Sequence, residues 1–107
     1  MRSRRLVVSL RALADLRADY SYVANFNPSA ARRRLDDINA KMMSLAKLGI
    51  TGTAREFIPG LRAFPHRNRC IYFLIDDGTM TVVRVLHGRQ KTSAEDFTSA
   101  GPDNETT

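Results

Sequence analysis

The sequence is poor in cysteine and in long apolar runs, and both shortages restrict what the protein can be. Cys70 is the only cysteine among 107 residues, so neither an internal disulfide nor a cysteine-based metal cluster can form. Because its neighbours are apolar, we expect a buried and inert thiol. No apolar run approaches the roughly 20 residues that span a bilayer, and residues 6–8 are too short for the apolar part of a signal peptide. We therefore expect a cytoplasmic protein.

Several catalytic and cofactor motifs are also missing. The sequence has no glycine-rich phosphate loop before a helix, no His/Cys spacing typical of a metal site and no convincing Ser-His-Asp order. Asp36 and Asp37 are adjacent on a predicted helix, where neighbouring side chains diverge by about 100° and cannot jointly hold one substrate. We therefore expect no cofactor and no metal.

Acidic residues are scarce in most of the chain. Residues 1–91 contain all 17 Lys and Arg but only seven acids, a net charge of +10, whereas residues 92–107 contain four acids and no base. A cationic body favours an anionic partner, either nucleic acid or an acidic protein segment. The length predicts one domain, residues 1–97. The Ser, Thr, Gly and acidic composition predicts a disordered acidic tail over residues 98–107.

Two amphipathic helices are predicted in the first half. Ser9 suits the N-cap of a first helix from Leu10 to Ala24. Asn27 and Pro28 suit the cap and first position of a second helix, which Gly49 can end in a left-handed conformation. The apolar positions are Leu13, Leu16, Tyr20 and Val23 in the first helix, and Ala31, Leu35, Ile38, Met42 and Leu45 in the second. The short connection predicts an antiparallel hairpin.

The second half has the composition of β-strands. Strands are predicted at residues 4–8, 61–66, 70–75 and 81–86, with a short edge segment within residues 53–58. Asp77-Gly78 predicts a hairpin turn, since Asp-Gly tolerates positive φ. The order β-α-α-β-β-β predicts an α+β fold in which the helical hairpin packs on a curled antiparallel sheet.

Cations in or beside these strands are the candidate functional residues. They are Arg62, Arg84, His87 and Arg89. Strict alternation in the last strand would put Val83, Val85 and His87 on one face and Val82, Arg84 and Leu86 on the other. If the register brings the four cations together, their guanidinium groups could bind phosphate or carboxylate in bidentate fashion. Alternatively, these arginines pair with Glu56, Asp76 or the acidic tail, and the sequence leaves both interpretations open. His66 is expected to be exposed and without a role.

The run Arg32-Arg33-Arg34 lies opposite the apolar positions of the second helix. Such a run is most often a solvated helix face. Binding of an acidic partner or of nucleic acid is the alternative.

A combination of short motifs resembles the ParE branch of the RelE/ParE toxin superfamily, from bacterial type II toxin–antitoxin systems. These motifs are Ala14-Asp15-Leu16, Asn27-Pro28 with Ala30-Ala31-Arg32, Gly52 with Arg55-Glu56, Gly60-Leu61-Arg62, and Arg84-Val85-Leu86-His87-Gly88. The similarity extends from about Val8 to Phe97. It implies the same β-α-α-β-β-β architecture that the periodicity predicts.

The resemblance also implies partners and their contact residues. ParE-like proteins inhibit DNA gyrase by binding it, and a cognate ParD-like antitoxin neutralises them in a hetero-oligomer through an acidic segment. The target-binding residues would be Arg62, Arg84, His87 and Arg89. The antitoxin-binding residues would be Arg32, Arg33, Leu61, Arg62 and Phe64.

Two alternative functions stay open from the sequence. A RelE-like, metal-independent ribonuclease would use His87 for proton transfer with Arg62, Arg84 and Arg89 stabilising the phosphorane. Residues 91–96 offer no Tyr, His or Cys as a second acid–base group, and this favours the non-hydrolytic interpretation. The other alternative is a degenerate, non-toxic member that only binds its antitoxin.

Overall fold

Two helices and five strands make up the part of the chain that the computed structural model describes, which is residues 3–55, 58–87 and 97. The elements are β1 (Arg5–Val8), α1 (Leu10–Ala24), α2 (Pro28–Leu48), β2 (Thr53–Ala54), β3 (Arg62–His66), β4 (Arg69–Ile75) and β5 (Thr79–His87). Both helices have the predicted bounds. The bounds of the three longer predicted strands are right to within two residues.

The helix ends form as their sequences predict. The Ser9 hydroxyl accepts a hydrogen bond from the Ala12 amide at 3.0 Å and donates one to the Val83 carbonyl at 3.1 Å, so the cap also ties α1 to β5. Asn27 Oδ1 accepts from the Ala30 amide at 3.0 Å at the start of α2. Gly49 ends α2 with φ +69°, a conformation that costs glycine little.

The sheet is mixed, not wholly antiparallel as predicted. Its strand order is β1-β5-β4-β3-β2, and β2 to β5 pair antiparallel. At the edge, β1 pairs parallel with β5, with Val8 opposite Val82. These two strands are the first and the last in the chain, and the helical hairpin and three strands lie between them; parallel neighbours need such a long connection. The sequence pattern carries no information about which strand β1 joins.

The two tight turns differ from the expected mechanism. Gly78 does not adopt positive φ; instead, the Asp76 carboxylate accepts hydrogen bonds from the amides of Gly78 and Thr79 at 3.1 and 2.8 Å. Between β3 and β4, Arg67 has φ +58°. That conformation is uncommon for a residue with a side chain.

A β-bulge overturns the strict alternation predicted for β5. Tyr72 lies opposite Arg84 but Phe73 lies opposite Val82, so Val83 is an extra residue in the strand. In consequence Val82 and Val85 both pack in the core beneath the helices, whereas Val83 packs on the other face. The bulge changes the direction in which the following side chains point.

Both faces of the sheet are covered by apolar contacts. The main core joins the helices to the sheet through Leu16, Ile38, Met42, Leu45, Ile71, Phe73, Met80 and Val82. A smaller cluster on the other face contains Leu61, Ala63, Cys70, Tyr72 and Leu86, with Phe97 edge-on to Tyr72 at 5.2 Å. Burial raises the pKa of the Cys70 thiol, and the predicted buried cysteine is confirmed. Among the described residues, no helix combines the length and apolarity needed to cross a bilayer.

Candidate functional site

The register does not gather the cations that the sequence singled out. Arg62 lies opposite Phe73, and His87 lies opposite Arg69. The two positions are therefore four residue steps apart in register, which is about 13 Å along the strand. Arg89 lies outside the described residues, as does the predicted acidic tail.

Arg84 lies inside the protein. It is only 7 % exposed, and its Nε and a terminal nitrogen donate to the two carboxylate oxygens of Asp15 at 2.8 and 2.9 Å. The Val85 amide donates to the same carboxylate at 3.0 Å. The Asp15 carboxylate compensates the buried charge of Arg84, and little of the guanidinium is exposed; a contact of Arg84 with a partner stays a prediction. The acid is Asp15 of α1, not the Glu56, Asp76 or tail residues that the sequence suggested.

Arg62 fastens the loop between α2 and β2. Its Nε donates to the Thr51 carbonyl, and a terminal nitrogen donates to the Gly52 carbonyl at 3.3 Å. Gly52 has φ +62°, and a Cβ there would collide with the carbonyl oxygen of Ala63. Arg62 is half-buried, and its two hydrogen bonds to backbone carbonyls stabilise this loop.

The predicted antitoxin-binding residues do not form one surface. Arg32 and Arg33 are exposed on α2, and Arg32 pairs with Asp36 at 3.3 Å. Leu61 is buried in the smaller cluster, whereas Phe64 packs against the main core with Lys41 Nζ 5.5 Å from its ring. Leu61 and Phe64 thus lie on opposite faces of the sheet.

A groove on the outside of the helical hairpin is the more coherent surface. Leu13, Tyr20 and Leu35 contribute its apolar part, with Arg17 and Arg32 beside them. Leu13, which the sequence pattern placed in the core, is exposed. An apolar groove with arginines at its rim suits an acidic amphipathic segment. We call it the outer groove.

Ion pairs join the helical hairpin to one end of the sheet. We define the charged seam as Asp15 and Asp19 of α1, Arg34 and Asp37 of α2, and His66, Arg67, Arg69 and Arg84 from the sheet and its turn. Each aspartate comes from a helix, and each receives at least one cation from the sheet side. The seam therefore carries four arginines and a histidine against three carboxylates.

Asp19 connects both helices to β4. Its Oδ1 accepts hydrogen bonds from Arg69 and from Arg34, the latter at 3.4 Å. Arg69 is only 14 % exposed and also donates to the Asn68 carbonyl at 3.3 Å. Arg34 Nε is buried without a hydrogen-bond partner in the described part of the chain. Such an orphaned donor is uncommon in proteins.

Asp37 holds the turn between β3 and β4 against α2. Its Oδ2 accepts from Arg67 Nε and contacts His66 Nε2, both at 2.8 Å. The hydrogen bond from Arg67, followed by that from His66, lowers the pKa of Asp37 below its usual value of 3.8. The same contact raises the pKa of Arg67. His66 is 14 % exposed, so the expectation that its side chain is exposed is wrong.

The sequence contained a signal for the charged seam, although the apolar pattern of the two helices did not reveal it. Asp15 and Asp19 are four residues apart, so both lie on one side of α1. Asp15 immediately precedes the buried Leu16, and Asp37 precedes the buried Ile38. Acids next to core positions on two paired helices could have predicted cations on the facing sheet.

Comparisons with known proteins agree with this architecture. A family model described as the ParE toxin of type II toxin–antitoxin system, parDE, matches residues 6–92. A solved structure described as the chromosomal ParDE TA system from P. aeruginosa is similar with a TM-score of 0.67 and 24 % sequence identity, over 78 % of this chain and 95 % of that chain. At that identity the likeness concerns the fold. No curated protein matches this chain in sequence. The family match covers most of the chain, which therefore belongs to the ParE toxin family of type II toxin–antitoxin systems.

Proposed function

We propose that this protein acts in the cytoplasm, that it inhibits DNA gyrase by binding rather than by catalysis, and that a cognate ParD-like antitoxin neutralises it. Family membership supports the toxin role. The observation that favours binding over catalysis is the separation of Arg62 from His87 by about 13 Å of strand. Gyrase as the target follows from the resemblance of the sequence to the ParE branch.

The described residues do not assemble the groups that RNA cleavage requires. Cleavage needs a proton acceptor, a proton donor and cations around one phosphate. Arg84 is engaged by Asp15 within the core, and His66 is engaged by Asp37. Arg62 and His87 lie on the two strands that flank β4, four residues apart in register, which favours separate contacts over one shared phosphate.

Antitoxin binding is supported by the outer groove. Leu13, Tyr20 and Leu35 offer apolar area that the chain leaves partly uncovered, and Arg17 and Arg32 stand beside it. An acidic amphipathic segment placed there would bury the apolar side chains and pair with both arginines.

A supercoiling assay tests the proposal. Toxin purified free of antitoxin is added to gyrase, ATP and relaxed plasmid, and supercoiling is expected to fall as toxin concentration rises. Antitoxin encoded by the neighbouring reading frame should restore it. Full supercoiling at micromolar toxin would contradict gyrase inhibition. Fragmented transcripts after induced expression would instead support the ribonuclease alternative, and harmless expression without antitoxin would support a non-toxic member.

A further inference from the structure

We propose that the mouth of the charged seam binds a single acidic side chain of a partner protein. The site is the anion cleft, formed by Arg34, Arg67 and Arg69 around a floor of Leu16, Ile38 and Val85. This inference extends the proposed function. It rests on one part of that proposal, which is that the protein acts by binding another protein. The cleft adjoins the outer groove, with which it shares Leu16, but its charged residues are different ones.

The cleft has more donors than its own carboxylates satisfy. Asp19 is shared by Arg34 and Arg69, and Asp37 is shared by Arg67 and His66. Asp15 also lines the cleft, but its carboxylate accepts from Arg84 and from the Val85 amide. The three guanidinium groups of the cleft, with five N–H donors each, therefore share the two remaining carboxylates. One further oxyanion could accept hydrogen bonds from the N–H donors that remain.

Arg34 supplies a second and independent observation. Its Nε is buried without a partner among the described residues, and its terminal nitrogen reaches Asp19 only at 3.4 Å. A buried N–H that lacks an acceptor is unfavourable. The Arg34 side chain as a whole is 36 % exposed, so a carboxylate entering the cleft can accept from its terminal nitrogens.

The backbone at the cleft mouth is held in an uncommon conformation. Arg67 has φ +58° and a side chain that is 71 % exposed. Its Nε is fixed on Asp37 at 2.8 Å, so the two terminal nitrogens are presented beside the opening. Backbone conformations of this kind are concentrated at functional sites.

The surroundings favour a protein carboxylate over a nucleic acid. Arg69 and His66 are recessed, each 14 % exposed, so a flexible side chain can reach them more readily than a phosphodiester backbone. Asp19 and Asp37 at the same cleft repel a polyanion more than a single charge. The apolar floor of Leu16, Ile38 and Val85 suits the stem of a glutamate or an apolar neighbour in a peptide.

Side-chain NMR of arginine in the whole toxin tests the cleft. The probe is acetyl-Ala-Glu-Leu-Ala-amide, with the glutamine peptide of the same length as its control. The glutamate peptide should shift the Nε–H signals of Arg34 and Arg67 saturably, and the glutamine peptide should bind about tenfold more weakly, since it loses one charge-assisted hydrogen bond. Arg67→Gly keeps the backbone conformation and should weaken binding similarly. Arg5→Ala, which removes an exposed arginine of β1 outside the cleft, should leave it unchanged.

Several results would overturn the proposal. Equal binding of the two peptides, shifts of similar size in Arg67→Gly, or no saturable shift at Arg34 and Arg67 would each do so. Tighter binding of inorganic phosphate or of duplex DNA at the same signals would replace the carboxylate with a phosphate group. The supercoiling assay separates the two proposals: inhibition without peptide binding refutes the cleft alone, and peptide binding without inhibition refutes the gyrase target alone.

Discussion

The two ends of the interface between the helices and the sheet are built from opposite chemistry. At one end Met42, Leu45 and Ala46 of α2 pack in the main core with Leu6 and Met80. At the other end the charged seam joins the same layers through ion pairs. Apolar contacts depend on area and shape and tolerate small shifts in position, whereas ion pairs depend on each partner being present. The apolar end therefore fixes the fold, and the charged end can exchange partners.

Breaking the most buried pair of the seam should have the largest effect. Asp15→Ala leaves Arg84 buried without its acid and should lower the free energy of unfolding by about 3–5 kcal/mol. Urea denaturation followed by circular dichroism measures the loss. The double variant Asp15→Leu/Arg84→Met is the control, since two apolar residues of similar volume should recover most of the stability. A double variant as unstable as Asp15→Ala would show that the pair is needed for more than mutual neutralisation.

Truncation at the apolar end should cost somewhat less and behave differently. Met42 is fully buried, and Met42→Ala should lower the free energy of unfolding by about 2–5 kcal/mol through lost burial and a cavity. Met42→Leu, close in volume, should cost less than about 1.5 kcal/mol. The same denaturation series measures both. Equal losses for the two variants would mean that packing volume does not control this end.

The apolar end was predictable from the sequence, whereas at the charged end only the acids of the helices left a signal and their partners did not. Met42 and Leu45 recur at helical spacing, so a local pattern placed them in the core, and Ser9, Asn27 and Gly49 marked the helix ends locally. The partners in the seam are far apart in the chain, 69 residues for Asp15 and Arg84 and 50 for Asp19 and Arg69. Only the register of β3, β4 and β5 brings them together, and the bulge at Val83 shifted that register unpredictably.

The charged end should respond to acid where the apolar end does not. Asp37 has a pKa below 3.8 in the folded chain because Arg67 and His66 bond to it, so the unfolded chain binds more protons near that pH. Its contribution is present above the unfolded pKa and is lost as the pH falls through the lower folded pKa. Stability measured from about pH 6 to about pH 3 should therefore fall less steeply in Asp37→Asn than in the parent. Parallel curves would show that this carboxylate does not govern the acid response.

An exposed ion pair outside the seam should contribute least to stability. This prediction sharpens the contrast between exposed and buried ion pairs. Arg32 and Asp36 are 3.3 Å apart and mostly exposed, so Arg32→Ala should change the free energy of unfolding by about 0.5 kcal/mol or less. Because Arg32 borders the outer groove, the same variant should still weaken antitoxin binding, measurably by calorimetry. Arg5→Ala, which removes an exposed arginine from β1, controls for the loss of one positive charge. If both variants weaken binding equally, antitoxin affinity depends on the net charge of the protein and not on contacts in the outer groove.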